Sequence, residues 1–379
     1  MKIAFLTPEY PHPKTGTSGG IGTSIKNLAI GLLAAGCTVR VLVYGQNQEG
    51  VFDDNGICIQ QIRNVKFKGL SWYLTRKKLQ KIINTLYHDK EIDLVEAPDW
   101  TGITSFINAT CPVVIRLNGS DTYFCHLDQR PVKWKNKFHE KRALKKADGL
   151  LSVSQFTADL TNELFGLEKK FTIIPNSIDM GLFSPNSTYN STDVILYFGS
   201  LIRKKGLLEL PFIFNEVINK NPKAKLVLVG KDVPDIISGN PSTWQMMQGL
   251  FTEEARINVS YLGSVSYQDI KKHINSATVC VFPTFAEALP VSWIEAMAMQ
   301  KPIVASNIGW ATEVMDDGIN GFLVHPTHHL DYANKIIQLL ENEQLQKEFG
   351  VEARKKVTEK FSVAVVAKES LSFYNSLIG

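Results

Sequence analysis

Cysteine is scarce in this sequence, paired cysteine spacings are missing, and no apolar run approaches the length of a membrane span. The five cysteines (Cys37, Cys58, Cys111, Cys125, Cys280) are scattered, odd in number and never spaced C-x-x-C. That excludes a disulfide framework and a zinc site of that kind, and it points to a reducing compartment. Without a long apolar run there is no candidate for a membrane-spanning helix. MKIAFLTPEY opens at once as a strand, so no signal peptide is expected and the expected location is cytoplasmic.

What is present is enough chain for two cores. At 379 residues the length exceeds what one hydrophobic core organises, so two domains are expected. The net charge of +4 hides an asymmetry: residues 1–180 hold 23 Lys/Arg against 17 Asp/Glu, and residues 181–379 hold 18 against 20. The first half is therefore +6 and the second −2, and the basic half should meet something acidic. Its charge concentrates in PVKWKNKFHEKRALKKADG, where Lys137, Lys141 and Lys145 recur at helical spacing among Trp134, Phe138 and Leu144. LSWYLTRKKLQK is similar in character. Such a segment is either a solvated helix face or an interfacial helix on anionic lipid.

The most patterned stretch is Val279 to Ser306, VCVFPTFAEALPVSWIEAMAMQKPIVAS. Short apolar runs open and close it, and between them a loop precedes a helical pattern, so it reads strand–loop–helix–strand. Pro290 falls where a first helical residue can lack its N–H, WIEAMAMQ consists mostly of good helix formers, and Pro302 ends the helix. A helix N-terminus at the end of a parallel strand is an anion site. Glu287 and Glu295 cannot serve an anion, but they can accept hydrogen bonds from hydroxyls. The combination suggests a ligand with phosphate and sugar parts.

The beginning of the chain has a related organisation. Lys2 to Leu6 reads as a buried strand, Thr7 to Gly22 as a Pro/Gly loop ending SGGIG, Thr23 to Ala35 as a helix and Val39 to Tyr44 as a strand. This is half of a doubly wound sheet, whose ligands lie beyond the strand C-termini, although the glycines lack the full G-x-G-x-x-G spacing. Two more strands lead into APDW and NGSD. Loop position alone makes Asp99, Trp100 and Asp121 candidates on the acceptor side. Farther on, the polar stretch Ser184 to Asp193 reads as a linker. A strand from Val194 to Phe198 then leads into GSLIRKKG, whose Arg203, Lys204 and Lys205 would bring positive charge to a phosphate.

The spacing Glu287-x7-Glu295, with EAMA after it and PIVAS next, resembles the donor-sugar motif of retaining glycosyltransferases of family 4 (glycosyl transferases group 1). The glycine loop, the run PNSIDMGLFSP, the cationic loop and the last helices also come in that family's order. The resemblance implies the GT-B fold: α/β, with two Rossmann-like doubly wound domains facing across a cleft. Residues 1–178, completed by a last helix over 362–379, would form the acceptor-side domain, and 179–361 the nucleotide-sugar domain. It further implies that Gly19 and Gly20 let the backbone approach the donor and acceptor, and that Lys205 meets the diphosphate. Ser200 stands where the family commonly has Arg, so Arg203 or Lys204 would supply a second charge. Leu289 and the N–H groups of Val291 and Ser292 would complete the donor site, with Glu287 on sugar hydroxyls and Glu295 on the ribose. Gly263 and Val265, in SYLGSV, mark where the family holds the base, largely through backbone groups; a UDP- or GDP-linked donor is expected.

One departure bears on catalysis. In RLNGSD the family usually has His where this chain has Asn118. Asparagine can hydrogen-bond a sugar hydroxyl but cannot carry a proton, so Asn118 is expected to position rather than act as a base. His126, eight residues on, is a candidate substitute. No Asp-x-Asp occurs, so no bridging metal and no cofactor are expected. The implied reaction moves a sugar from a nucleotide-diphosphate sugar to an acceptor hydroxyl with retention, in polysaccharide, glycolipid or glycan assembly. The acceptor would be a glycan or lipid-linked, with peripheral contact to an anionic membrane at its inner face and no nucleic-acid partner. A sugar-nucleotide epimerase and a catalytically silent sugar-nucleotide-binding protein are the alternatives.

Overall fold

The structure is a computed structural model that describes all residues except 17, 186–192 and 267–268. Most of the stretch expected to be a linker, 184–193, therefore lies outside the described residues. The chain divides into two compact units, Met1–Asp179 with Lys360–Gly379, and Met180–Glu359.

The first unit holds eight strands: β1 Lys2–Thr7, β2 Thr38–Tyr44, β3 Gly50–Asp54, β4 Ile57–Ile62, β5 Leu94–Pro98, β6 Val113–Leu117, β7 Gly149–Ser152 and β8 Thr172–Ile173. They lie in the order β3-β4-β2-β1-β5-β6-β7-β8, parallel except for the β3–β4 hairpin. Side-chain alternation feeds both faces, as a buried parallel strand requires. Ile3 and Phe5 of β1 pack with Ile25, Leu28 and Leu32 of α1 (Gly20–Ala34). Ala4 and Leu6 pack on the other face with Leu79 and Ile83 of α2 (Ser71–His88). Helix α1 begins earlier than expected because Gly19 is its N-cap and Gly20 already belongs to it. Two further helices, α3 (Asp121–Leu127) and α4 (Trp134–Lys146), follow β6.

The last helix, Val363–Ile378, belongs to this unit. Its Val366 and Tyr374 join the α1 face of the core, and a buried ion pair ties it down. Arg116 of β6 donates to Glu96 of β5 at 2.7 Å and to the Ser370 hydroxyl at 3.3 Å. The Tyr374 hydroxyl donates to the same carboxylate at 2.6 Å. All four residues are buried. Charges so placed are tolerated only because each is paired and hydrogen-bonded.

The second unit has six strands: β9 Val194–Phe198, β10 Lys225–Val229, β11 Val259–Tyr261, β12 Val279–Phe282, β13 Ile303–Ala305 and β14 Phe322–Leu323. All are parallel, in the order β11-β10-β9-β12-β13-β14. After β14 two helices follow in succession, His329–Leu340 and Glu343–Lys356. The break between them falls at Asn342, whose side chain caps the second helix by accepting from the Leu345 N–H at 2.9 Å.

Candidate functional site

In the second unit β9 and β12 are parallel neighbours, so the loops after them leave the sheet on one edge and can meet. The β9 loop ends in a 3₁₀ turn, Arg203–Lys205. The Lys204 carbonyl accepts the Phe285 N–H of the β12 loop at 2.8 Å. Gly206 closes the turn at φ +71°, and a Cβ there would stand 1.7 Å from the Pro283 carbonyl oxygen; only glycine permits this approach. The result is that Lys205 Nζ lies 3.1 Å from Glu287 Oε1, both side chains being partly exposed. Beneath them the Tyr197 hydroxyl donates to the Ser200 carbonyl at 2.9 Å. Its ionisation is pushed far up, first by burial and then by the Glu287 charge.

Of the other two cations, Arg203 differs from the expectation attached to it. Arg203 is held by Asp235 in a two-pronged pair, Nε to Oδ1 at 2.8 Å and Nη2 to Oδ2 at 2.7 Å. Asp235 is buried, and that pairing keeps its carboxyl far below the usual carboxylate range. Arg203 thus anchors the segment after β10 and its charge is largely matched. Lys204 uses its carbonyl to hold the β12 loop. Asp235 gave no sequence signal, because it meets its partner 32 residues away in sequence.

The helix Val291–Ala298 follows, with Pro290 as its N-cap rather than its first residue, and no side chain caps it. Val291 and Ser292 are half-buried at that end. Leu289 and Glu295 are buried, Glu295 at 6 % exposure. At the end of β11, the Gly263 carbonyl accepts the Gly230 N–H at 2.8 Å, and Val265 is half-buried two residues beyond. Gly263 and Val265 therefore stand on the same sheet edge as the β9 and β12 loops.

In the first unit, Gly19 and Gly20 are exposed at the start of α1. Glu9 reaches this end from the preceding loop, and its carboxylate accepts the Gly22 N–H at 3.0 Å. Asn118 sits at the end of β6. Its backbone N–H donates to Asp99 Oδ1 at 2.9 Å, and its amide donates to the Arg116 carbonyl at 3.3 Å. Asp99, expected on the acceptor side, is only 2 % exposed. Burial pushes its carboxyl up to about 7 against the pull of the Asn118 N–H, and the charge of Glu140 pushes the same way. Trp100 is half-buried. Asp121 is engaged by the Asn136 amide at 2.9 Å and lies 3.9 Å from Arg130. His126 is exposed on α3.

The outer face of this unit carries the basic segments. On α4 Trp134 is 72 % exposed and Phe138 49 %, and on α2 Trp72 is 43 % exposed. Phe106 links the two helices: its ring centre is 5.7 Å from that of Trp72 and 6.3 Å from that of Phe138. The Arg142 guanidinium lies 4.2 Å from the Phe106 ring centre. Among the described residues no helix is long and apolar enough to cross a membrane, and no group of three or more His, Cys, Asp or Glu is placed to hold a metal ion.

Comparison with known proteins adds a separate line of evidence. Residues 182–356 match the profile described as Glycosyl transferases group 1, and residues 18–182 match Glycosyltransferase Family 4. The chain is 26 % identical to an uncharacterized glycosyltransferase of Methanocaldococcus jannaschii, over 99 % of this chain and 98 % of that one. It is 24 % identical to the alpha-maltose-1-phosphate synthase of Mycolicibacterium smegmatis over the full length of both. Among solved structures it is similar to sucrose-phosphate synthase from Thermosynechococcus elongatus, with a TM-score of 0.81, 20 % identity and coverage of 100 % of this chain and 99 % of the other. Anabaena HepE in complex with UDP and glucose superposes with a TM-score of 0.76 at 20 % identity, covering 99 % of this chain and all of that one. These likenesses establish the GT-B fold.

Proposed function

The chain belongs to the group 1, family 4 glycosyltransferases, and from that premise we propose that it transfers a sugar from a UDP- or GDP-linked donor to an acceptor hydroxyl, with retention and without a bridging metal. The observation that carries this is the Lys205–Glu287 pair at the sheet edge, 3.1 Å apart, beside a helix end that no side chain caps. Negative charge grows on the departing diphosphate as the glycosidic bond stretches. Preorganised cations and amide dipoles aimed at that charge lower the barrier most. Lys205 and the N–H groups of Val291 and Ser292 take that part. Glu287 accepts from the donor-sugar hydroxyls, Glu295 from the nucleotide ribose, and Asn118 orients the sugar without exchanging protons. Lys205, released as the donor-sugar hydroxyls engage Glu287, then supplies side-chain countercharge together with Lys204, because Arg203 is held in a two-pronged pair by Asp235.

The acceptor in this reading is a glycan or lipid-linked saccharide met at an anionic membrane surface. Its support is the exposed Trp134 and Phe138 on a helix rich in lysine, the combination that favours shallow interfacial docking.

Thermal-shift screening of nucleotide sugars tests the donor part first. A ligand at about 100 times its Kd adds roughly 2.7 kcal/mol of stability. Release of nucleoside diphosphate is then measured with and without acceptor, with the anomeric configuration of the product read by NMR and the rate repeated in EDTA. A chain that binds a nucleotide sugar but never releases the diphosphate is a binding protein, and the proposal fails.

A further inference from the structure

Glu140 has no role in the scheme above, yet it is among the most buried charged residues of the first unit, at 1 % exposure. It lies on α4 and reaches under the strand ends. One oxygen, Oε1, accepts the Thr101 N–H at 3.1 Å and the Asp121 N–H at 2.9 Å. The other, Oε2, accepts the Thr122 N–H at 3.2 Å and the Thr122 hydroxyl at 2.5 Å. A single carboxylate therefore joins two loops: the one after β5, with Asp99 and Trp100, and the one after β6, with Asn118 and Asp121.

Four features make this more than an ordinary buried acceptor. Thr101 is held at φ +54°, a conformation that a β-branched residue keeps only when its surroundings impose it. Gly102 follows at φ +56°, and a Cβ there would come within 2.3 Å of the His139 backbone, so α4 presses directly on this turn. Asp121 and Thr122 open α3, so Glu140 also satisfies N–H groups that a helix start leaves without partners. The two loops are joined a second time where Asp99 accepts the Asn118 N–H.

We infer that Glu140 is a positioning residue for sugar transfer, fixing the β5 and β6 loops against each other so that Asn118 is held in one place. This rests on the functional reading above for its consequence, but not for its geometry.

Glu140→Gln keeps the size of the side chain while turning an amide NH₂, in either orientation, toward at least one backbone N–H, which can only donate. Hydrogen exchange read by mass spectrometry should accelerate at least tenfold in peptides covering 99–102 and 118–123, with β1 and β2 unchanged. With UDP-glucose and GDP-mannose as hydrolysis probes, kcat should fall about tenfold or more, because small displacements of positioning groups are expensive in rate, and KM should shift less than threefold. Glu140→Asp, which retains the charge on a shorter arm, should fall between the two, and it carries the same measurements if Glu140→Gln does not fold. Unchanged exchange in both segments overturns the inference, as does a kcat within twofold of wild type beside accelerated exchange. If the wild type hydrolyses neither probe, the rates are read with the nucleotide sugar that stabilises it in the thermal-shift screen; if none is turned over with or without acceptor, the functional reading is what has failed, and the exchange experiment still decides whether Glu140 holds the loops.

Discussion

Lys205 Nζ and Glu287 Oε1 stand 3.1 Å apart, one delivered by the turn after β9 and the other by the loop after β12. Before a donor arrives, each charge occupies and orients the other. A partly exposed pair of this kind contributes about 1 kcal/mol or less to stability. Its value must be sought in turnover.

Lys205→Ala is therefore expected to leave the melting temperature nearly unchanged while kcat/KM falls about 100-fold, the order seen when one electrostatic partner of a transition state is removed. Glu287→Ala should lose most turnover with the fold intact. Steady-state rates and thermal melts of both variants decide this, and near-normal rates in both would mean the donor site has been misassigned.

Asn118 separates positioning from proton transfer. Asn118→Ala should be impaired, whereas Asn118→His should keep at least part of the activity, because the loop is held through the backbone N–H, which any residue retains. The pH–rate profile is the check. An ionisation that disappears only when His126 is replaced would make His126 the working group.

The Asp99 carboxyl is raised by burial to about 7, above the usual Asp value of about 3.9. The folded state thus holds the proton more tightly than the unfolded one. The stability this confers is fully present below about pH 4 and is lost as pH rises through 7. Asp99→Asn removes the titration. Urea unfolding of both proteins at pH 5 and pH 8 should show the difference moving in the variant's favour by about 1–3 kcal/mol at the higher pH. Parallel pH dependence would mean that Asp99 is ionised throughout.

Sedimentation with anionic vesicles tests the outer face of α4. Wild-type protein should pellet at low salt and be released as salt rises, since each cation near the surface contributes about 1 kcal/mol and is screened within a Debye length. Glu substitutions at Lys137, Lys141 and Lys145 should abolish pelleting. Protein that stays in the supernatant at low salt would point to a soluble acceptor.

The parts of the site that could be read from the sequence are those whose chemistry is local. Glu287, Glu295 and the helix that carries Glu295 announce themselves by spacing, and Lys205 by its place between a strand and a glycine. Glu140 was hidden because it sits in a basic run, where a carboxylate reads as one half of a surface ion pair. Its burial comes from a turn 39 residues earlier in the chain. Asp235 was hidden because its partner, too, is distant in the chain, and with it the tying up of Arg203. Glu96 and Arg116 are opposite charges in two apolar strands that prove to be neighbours in the sheet. Their tolerance there comes from partners the sequence does not place beside them: the Ile174 carbonyl, and Tyr374 and Ser370 of the returning helix.

That returning helix also constrains the order in which the molecule can be made. Val363–Ile378 completes the first unit, yet it leaves the ribosome only after the whole of the second unit. At about 5–20 residues per second, the intervening stretch takes on the order of ten to forty seconds to synthesise. Throughout that interval the nascent first unit has its Arg116–Glu96 pair without Tyr374 and Ser370, and the face of α1 that the helix will cover is open to water or to chaperones. The second unit is free to fold ahead of the one that precedes it in the chain.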